Sequence, residues 1–176
     1  MSTTTKKICL LGDFNVGKTS LVRRFIEDKF SDRYLSTVGV KVSRKSFEIK
    51  TDKETSWLDL LVWDLEGNTK FKSITPSYIK GASGSIIVAD LSRSDTLKNL
   101  ANHLQLFFKV NPNSKAIVAL NKADLIPAEK LAKLVENYQS HNFKGILGVY
   151  TTSAKTGDFV NEMFESMAQA IILTRS

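Results

Sequence analysis

The chain of 176 residues has the length of a single domain, and we expect one domain over residues 1–176. Its 42% hydrophobic and 24% charged residues are ordinary for a globular protein, and no apolar run is long enough for a transmembrane helix. The net charge of +7 suits a polyanionic ligand, but no nucleic-acid-binding motif is present, so nucleic acid is not an expected partner. The single cysteine and the lack of a signal-peptide core predict a cytoplasmic protein.

Hydrophobic periodicity divides the chain into alternating strands and helices. Segment 28–37 is long for a connection, which favours a functional loop, and Pro76 argues against a long helix through 64–81. Pro127 opens a helix at its first position, where its missing N–H has little effect. In chain order we predict a strand at 7–11, a helix at 20–27, strands at 38–50, 57–63 and 85–89, a helix at 95–110, a strand at 116–120, a helix at 127–138, a strand at 146–151 and a helix at 159–171.

The order of these elements predicts an α/β fold. The strands at 38–50 and 57–63 flank a turn at 51–54 and form an antiparallel hairpin. The other strands alternate with helices, which is typical of parallel strands. We therefore expect a six-stranded, mostly parallel sheet with one antiparallel edge strand and about five helices on both faces, with ligands at the carboxyl ends of the strands.

A local basic group comprises Lys41, Arg44, Lys45 and Lys50. Two interpretations of this group stay open. It is either a solvated strand face, or a weak contact with an acidic partner or an anionic membrane surface.

A phosphate-binding loop follows the first strand. Gly12–Thr19 reads Gly-Asp-Phe-Asn-Val-Gly-Lys-Thr and fits GxxxxGK[ST], between a predicted strand and a predicted helix. Gly12 and Gly17 permit a tight turn, so that backbone N–H groups point at phosphate oxygens. Lys18 is expected to bind the β- and γ-phosphates, and the Thr19 hydroxyl to ligate Mg²⁺. This loop predicts a nucleoside triphosphate without specifying the base.

Three further motifs follow later strands. Asp64 and Gly67 form DxxG, where the carboxylate can hold Mg²⁺ through water and the glycine N–H can bind a γ-phosphate; alone, the pair also fits a simple turn. Residues 121–124 read Asn-Lys-Ala-Asp, or NKxD, and Asp124 can accept from the two N–H groups of guanine that adenine lacks. Residues 153–155, Ser-Ala-Lys, place a backbone N–H near the guanine carbonyl. Four motifs in this order predict a guanine nucleotide site.

With these motifs, the chain resembles the Ras superfamily of small GTPases over essentially its whole length, and most closely the Rab branch. The similarity covers GDFNVGKTSLVRRF, YLSTVGVKV, WDLEGNTKFKSITPSYIKGASG, NKAD and SAK. It implies a P-loop G domain that hydrolyses GTP to GDP with Mg²⁺. Phe30 is implied to pack on the guanine ring, Tyr34 and Thr37 to belong to a first switch loop, and 64–78 to form a second. Both loops would be ordered by the γ-phosphate and released after hydrolysis.

The motifs and the resemblance together define three sets of site residues. The implied catalytic residues are Asn68, Lys18 and Thr37, and the implied Mg²⁺ ligands are Thr19, Thr37 and Asp64. The expected nucleotide contacts are Asp13, Phe14, Asn15, Val16, Gly17, Lys18, Thr19, Ser20, Phe30, Tyr34, Thr37, Asp64, Gly67, Asn121, Lys122, Asp124, Ser153, Ala154 and Lys155.

Turnover is where the chain departs most from the family. Asn68 stands where a glutamine usually orients the attacking water, and its stem is shorter by ~1.5 Å, one C–C bond. A misplacement of about 1 Å can reduce the rate on the order of 100-fold, so we expect slow hydrolysis without an activating protein unless another group compensates. Phe14 replaces a small residue, and either excludes water or an incoming arginine, or folds outward over the nucleotide.

The partner surface also departs from the Rab pattern. The implied triad read by partners is Val42, Trp63 and Tyr78, and Lys41-Val42 replaces the usual Asp-Phe. Leu65 and Glu66 replace a small Thr-Ala pair within DxxG. The resemblance implies an exchange factor, an activating protein and effectors at this surface, and a monomeric protein.

Membrane attachment and turnover each leave alternatives open. The sequence ends at Ser176 without the prenylated cysteines of the family, and Ser2 does not fit N-myristoylation. Either the tail was trimmed, or the protein is naturally unanchored and reaches membranes only peripherally. Besides a slow GTPase, a guanine-nucleotide-binding module with little hydrolysis fits the chain. A P-loop kinase is disfavoured by NKxD and by the absence of an acceptor-binding lid segment.

Overall fold

The structure, a computed structural model, describes residues 3–34, 36–50, 55–67, 75–139 and 144–174. In this part of the chain, six strands form one sheet. The strands are β1 (Thr3–Gly12), β2 (Val40–Lys50), β3 (Thr55–Leu65), β4 (Gly84–Asp90), β5 (Lys115–Asn121) and β6 (Ile146–Thr151). The predicted hairpin turn at 51–54 and the predicted catalytic residue Asn68 lie outside the described residues.

The sheet has the order β2-β3-β1-β4-β5-β6. Strands β2 and β3 are antiparallel, with Val40 opposite Leu65, and all the other neighbouring pairs of this sheet are parallel. The predicted mixed sheet with one antiparallel edge strand is therefore confirmed. Strand β1 begins earlier than hydrophobicity indicates, because the polar residues Thr3–Thr5 pair with β3 from Trp57 onward. The carboxyl ends of the parallel strands meet at one edge, where the segment leading into β2 also arrives.

Helices cover both faces of the sheet. They are α1 (Lys18–Glu27), α2 (Thr75–Ile79), α3 (Ser94–Lys98), α4 (Leu100–Val110), α5 (Ala128–Gln139) and α6 (Val160–Leu173). The helix predicted at 95–110 is interrupted at Asn99, but Asn99 N still donates to Asp95 O and His103 N to Asn99 O. Helices α3 and α4 thus form one interrupted helix, and the expected count of about five is confirmed for the described residues. None of these helices has the length and apolar character that a membrane span requires.

The core has two layers because strand residues alternate between the faces of the sheet. In β1, Ile8 and Leu10 are buried among residues of α1 and α6, whereas Cys9 and Leu11 are buried with residues of α4. On the first face, Phe25 of α1 stacks on Phe164 of α6, with ring centroids 4.0 Å apart. Burial in this second layer raises the pKa of the Cys9 thiol to about 12.

Part of the basic group has a role within the fold. Arg44 pairs with the buried carboxylate of Asp59 across the hairpin. The Lys45 ammonium donates to Phe25 O at 2.6 Å and lies 4.1 Å from the centre of the Phe25 ring, near the carboxyl end of α1. Lys41 is exposed. Arg44 and Lys45 therefore have partners within the fold. Fewer positive charges of this group remain to attract an acidic partner or a membrane surface than the sequence indicates.

Candidate functional site

A cleft of about 400 Å³ opens at the carboxyl edge of the sheet. It brings together most of the predicted site residues: Phe14, Asn15, Gly17, Lys18, Thr19, Ser20, Phe30, Tyr34, Thr37, Gly67, Asn121, Lys122, Asp124, Ala154 and Lys155. Among the residues that the structure describes, four predicted ones do not line the cleft: Asp13, Val16, Asp64 and Ser153.

The phosphate-binding loop needs its glycines because neighbouring strands approach closely. A side chain at Gly12 would place its Cβ 2.3 Å from Val88 O. At Gly17, where φ is +97°, a Cβ would lie 2.3 Å from Asn121 Nδ2. The loop is therefore packed directly against β4 and against the residue that ends β5.

The first two residues of NKxD brace this loop. Asn121 Nδ2 donates to Val16 O at 3.0 Å, and Lys122 Nζ donates to Asn15 O at 2.9 Å. Lys122 Nζ also lies 2.8 Å from the buried Asp90 Oδ2. Both side chains therefore hold carbonyl groups of the phosphate-binding loop and fix its geometry.

Lys18 is the buried cation of the site. Its Nζ donates to Gly12 O and to Asp13 O, both at 2.8 Å. Burial lowers the pKa of Lys18 to about 8, and the nearby Asp64 and Asp13 carboxylates partly offset that shift. The ammonium group is therefore held between two carbonyl groups of the loop, near the carboxylates of Asp64 and Asp13.

The carboxylate of Asp13 points away from the cleft, which the sequence did not indicate. Asn99 Nδ2 donates to Asp13 Oδ2 at 2.8 Å, and His103 Nε2 lies 2.8 Å from Asp13 Oδ1. Burial alone would raise the pKa of Asp13, but the hydrogen bonds from Asn99 and His103 and nearby positive charge lower it. Asp13 thus joins the loop to the interruption between α3 and α4.

Three oxygen-bearing side chains converge beside Lys18. Thr19 Oγ1 lies 2.6 Å from Thr37 Oγ1 and donates to Asp64 Oδ2, and Thr37 Oγ1 lies 3.3 Å from the same carboxylate oxygen. Asp64 Oδ1 is buried with no hydrogen-bond partner within the described structure. Burial raises the pKa of Asp64, against the effect of the Thr19 hydrogen bond and the Lys18 charge.

This arrangement passes a chemical test for Mg²⁺. The cation prefers hydroxyl and carboxylate oxygens and usually shares its coordination between a few protein ligands, phosphates and water. A buried carboxylate with an unpartnered oxygen is unfavourable without a compensating charge. Thr19, Thr37 and Asp64 therefore fit the ion that the sequence implies.

At the far end of the cleft, Asp124 is held by the last strand-end loop. Ser153 Oγ donates to Asp124 Oδ1 at 2.7 Å, and Thr156 N donates to Ser153 Oγ at 3.1 Å. Phe30 lines the same cleft. Ser153 therefore has a side-chain role in orienting Asp124, whereas its motif predicted only a backbone contact.

Two half-exposed aromatic rings stand at the mouth of the cleft. Phe14 is 49% exposed and Tyr34 is 52% exposed, and their ring centroids lie 5.4 Å apart at an angle of 46°. Arg93 Nη1 donates to Phe14 O at 2.8 Å. Phe14 thus contacts the first switch loop, and its backbone is held from the loop after β4.

Sequence reasoning missed several residues of the cleft. They lie next to predicted positions, but nothing in their own residue types signalled a role: Ser31, Asp32, Arg33, Ser36, Leu65, Glu66 and Leu125. Glu66 differs from the rest because its side chain bonds to the other switch loop, at Gly39.

Two residues of the predicted partner triad are connected through the partly buried side chain of Lys7. Val42 is 47% exposed and is the cross-strand partner of Trp63. Lys7 of β1 places its Nζ 3.8 Å from the centre of the Trp63 ring and donates to the backbone carbonyl of Tyr78. The indole Nε1 of Trp63 is buried without a partner among the described residues. Lys7 therefore joins Trp63 and Tyr78 to the central strand.

Comparison with known proteins identifies the family. Residues 7–124 match the family described as Roc, "Ras of Complex, Roc, domain of DAPkinase". The chain is 34% identical over 174 residues to Ras-related protein Rab-13 of Canis lupus familiaris, and the match covers 95% of this chain and 80% of that protein. It is 31% identical over 166 residues to Ras-related protein Rab-22A of Homo sapiens, covering 94% of this chain and 82% of the relative. The chain therefore belongs to the Ras superfamily of small GTPases, as a Rab-like member with a P-loop G domain.

Proposed function

We propose that this chain, as one G domain over residues 1–176, is a Mg²⁺-dependent switch that binds GTP and GDP and hydrolyses GTP slowly. The observation that carries the proposal is the convergence of Thr19, Thr37 and Asp64 beside the Lys18 ammonium group. A cation site next to a buried lysine fits a polyphosphate. Asp124 at the other end of the same cleft fits a base with two N–H donors.

The base preference follows from hydrogen bonding. The Asp124 carboxylate can accept from the ring N–H and from the exocyclic amine of guanine. Adenine offers no such pair, so binding it would leave a carboxylate without its partners. In a competition assay with Mg²⁺, we expect GDP and GTP to bind with nanomolar-range affinity, on the order of 12 kcal/mol, and ATP far more weakly. Comparable affinity for ATP would contradict the assignment.

The chain's own residues have distinct roles in the proposed reaction. Thr19, Thr37 and Asp64 would hold Mg²⁺, which when bound neutralises charge on the phosphate oxygens. Lys18 and the backbone amides of the loop stabilise negative charge that develops on the transferred phosphoryl group. Asn68 and the backbone of Thr37 are proposed to position the attacking water.

We propose that GTP hydrolysis is slow because Asn68 has a shorter side chain than the glutamine usual at this position. The amide has the chemistry that orients water, but it lies on a stem one carbon shorter than glutamine. Because phosphoryl transfer depends mainly on positioning, the shorter reach reduces the rate without abolishing binding.

The contact between Phe14 and Tyr34 favours a second candidate function. Two aromatic rings at the mouth of the cleft can keep out water or an arginine supplied by an activating protein. In that case the chain is a guanine-nucleotide-binding module with little or no hydrolysis, regulated by exchange or by a partner.

Single-turnover GTP hydrolysis separates the two candidates. The native chain and Asn68→Gln are loaded with GTP and Mg²⁺, and phosphate release is followed. If the native chain is slow and the variant faster, Asn68 limits the rate and the slow GTPase is supported. If both are inert, the binding module is the better description. Rapid hydrolysis by the native chain would contradict the argument from Asn68.

We further propose that exchange factors, activating proteins and effectors contact the surface around Val42, Trp63 and Tyr78. The protein is proposed to be a monomer in the cytoplasm, with peripheral membrane contact as the alternative. Pull-down with purified regulators, comparing the native chain with Trp63→Ala, tests this surface, because binding that is unaffected by the substitution would place the interface elsewhere.

A further inference from the structure

Glu66 forms a two-sided link between the switch loops. Its carboxylate oxygen Oε2 accepts from Gly39 N at 2.7 Å, and its backbone N–H donates to Gly39 O at 2.9 Å. The link lies directly beyond the last pair of the hairpin, Val40 opposite Leu65. The first switch loop is therefore joined to the DxxG segment by a side chain as well as by the backbone.

The same residue lies at the phosphate end of the cleft. Glu66 and Gly67 both line it. A Cβ added to Gly67 would lie 2.6 Å from Lys18 Nζ and 2.7 Å from Asp13 O, so the turn after Glu66 packs directly on the lysine. The side chain of Glu66 is partly buried, which limits screening of its charge by water.

We propose that Glu66 is a specificity-determining residue that biases the site toward the diphosphate. This inference rests on the proposed function, because it concerns the balance between GDP and GTP. A γ-phosphate would add negative charge in the part of the cleft that Glu66 lines, next to Gly67, which packs against Lys18. Like charges in a partly buried site repel, whereas a diphosphate leaves the carboxylate bonded to Gly39. A triphosphate must therefore bind against this repulsion or displace the link.

A purely structural role for Glu66 makes a different prediction. If the carboxylate only completes the hairpin, then the hydrogen bond to Gly39 matters and the charge does not. Glutamine keeps a side-chain oxygen that can accept from Gly39 N and removes the charge. Alanine removes both. The pair Glu66→Gln and Glu66→Ala thus separates repulsion from hairpin support.

The test is equilibrium binding of GDP and of the non-hydrolysable analogue GMPPNP, both with Mg²⁺. We expect the native chain to prefer GDP, and Glu66→Gln to shift the affinity ratio toward GMPPNP by about tenfold. Glu162→Gln is the matched control, because Glu162 is exposed on α6 and does not line the cleft. The control should leave the ratio unchanged.

Two results would contradict the inference about Glu66 and a third would contradict the proposed function, and the three can be distinguished. An unchanged ratio in Glu66→Gln and Glu66→Ala would overturn the role of Glu66 while leaving guanine nucleotide binding intact. A shift in Glu66→Ala alone would assign the effect to the hydrogen bond, and this too would overturn the charge-based inference. Failure of the native chain to bind either nucleotide would instead overturn the proposed function.

Discussion

The two walls of the cleft are built differently. On the wall formed by the phosphate-binding loop, carbonyl groups of consecutive residues are bonded to buried or half-buried side chains such as Lys18, Asn121 and Lys122. On the wall formed by the switch loops, the contacts are threonine hydroxyls, the Glu66 link and the half-exposed rings of Phe14 and Tyr34.

This difference separates binding from signalling. A wall held by several buried hydrogen bonds is preorganised, so nucleotide binding need not order it. A wall held by fewer contacts, only part of them buried, has lower local stability and can respond to the ligand. Substitutions in the first wall should therefore change affinity strongly, whereas substitutions in the second should change rates and nucleotide preference.

The largest effect is expected at Asp124, in the motif whose Asn121 and Lys122 hold the first wall. In Asp124→Asn, an amide presents a donor where the carboxylate accepted from guanine, so guanine binding weakens and xanthosine nucleotides bind better. The preference should shift on the order of 1,000-fold, the loss of two charge-assisted hydrogen bonds. Competition of XDP against GDP measures this shift. Ser153→Ala is the milder control, because it removes the hydroxyl that donates to Asp124 and leaves the carboxylate. No shift in Asp124→Asn would mean that Asp124 does not face the base.

Lys18 should follow with a smaller but still large effect. Lys18→Ala removes the cation that we propose neutralises phosphate charge, and we expect GDP affinity to fall about 100-fold, the equivalent of one or two charge-assisted contacts. Isothermal titration with GDP and Mg²⁺ measures it. Lys130→Ala is the matched control, since Lys130 is exposed on α5 outside the cleft. Equal affinities in both variants would remove Lys18 from the phosphate site.

The Asp13 carboxylate joins the phosphate-binding loop to Asn99 and His103, and a substitution of Asp13 tests how much this contact stabilises the protein. Its pKa is lowered in the folded protein, so its stabilising contribution is present above the unfolded pKa near 3.8 and is lost as pH falls through the folded value. We expect Asp13→Asn to destabilise the protein by about 1 kcal/mol at pH 7, where a hydrogen-bonded charge is replaced. Urea unfolding should show that the difference between native and variant shrinks below pH 3.8. A difference that is independent of pH would contradict the role of the carboxylate charge.

The smallest effect is expected at Phe14, a residue of the phosphate-binding loop whose ring contacts Tyr34 of the second wall. Phe14→Ala removes the ring contact with Tyr34, which is worth about 0.5–1.5 kcal/mol for an aromatic pair. GDP dissociation should accelerate several-fold, while the preference for guanine stays the same. Stopped-flow release of a fluorescent GDP analogue measures it, with Phe159→Ala as a control for an exposed ring outside the cleft. A fall in affinity as large as that expected for Lys18→Ala would contradict the distinction between the walls.

Local patterns predicted most of the fold and the position of the cleft. The strand at 146–151 agrees with β6, and GxxxxGK[ST] lies between β1 and α1, because these features depend on nearby residues. The contacts that local patterns missed are distant in sequence. Asn99 and His103 lie 86 and 90 residues from Asp13, and their types fit an ordinary helix surface equally well. The Glu66 link also depends on the exact register between β2 and β3, which composition does not specify.

Cys9 gives the protein a built-in chemical reporter. It is the single cysteine of the sequence, it lies in the central strand β1 between β3 and β4, and burial raises its pKa to about 12. A thiol-reactive dye can therefore modify it only when the sheet opens, because reaction requires an accessible thiolate. Any ligand that binds the folded state alone reduces opening in proportion to its occupancy. The rate at which the dye labels the native chain thus reads out nucleotide binding without a label on the nucleotide and without an engineered cysteine.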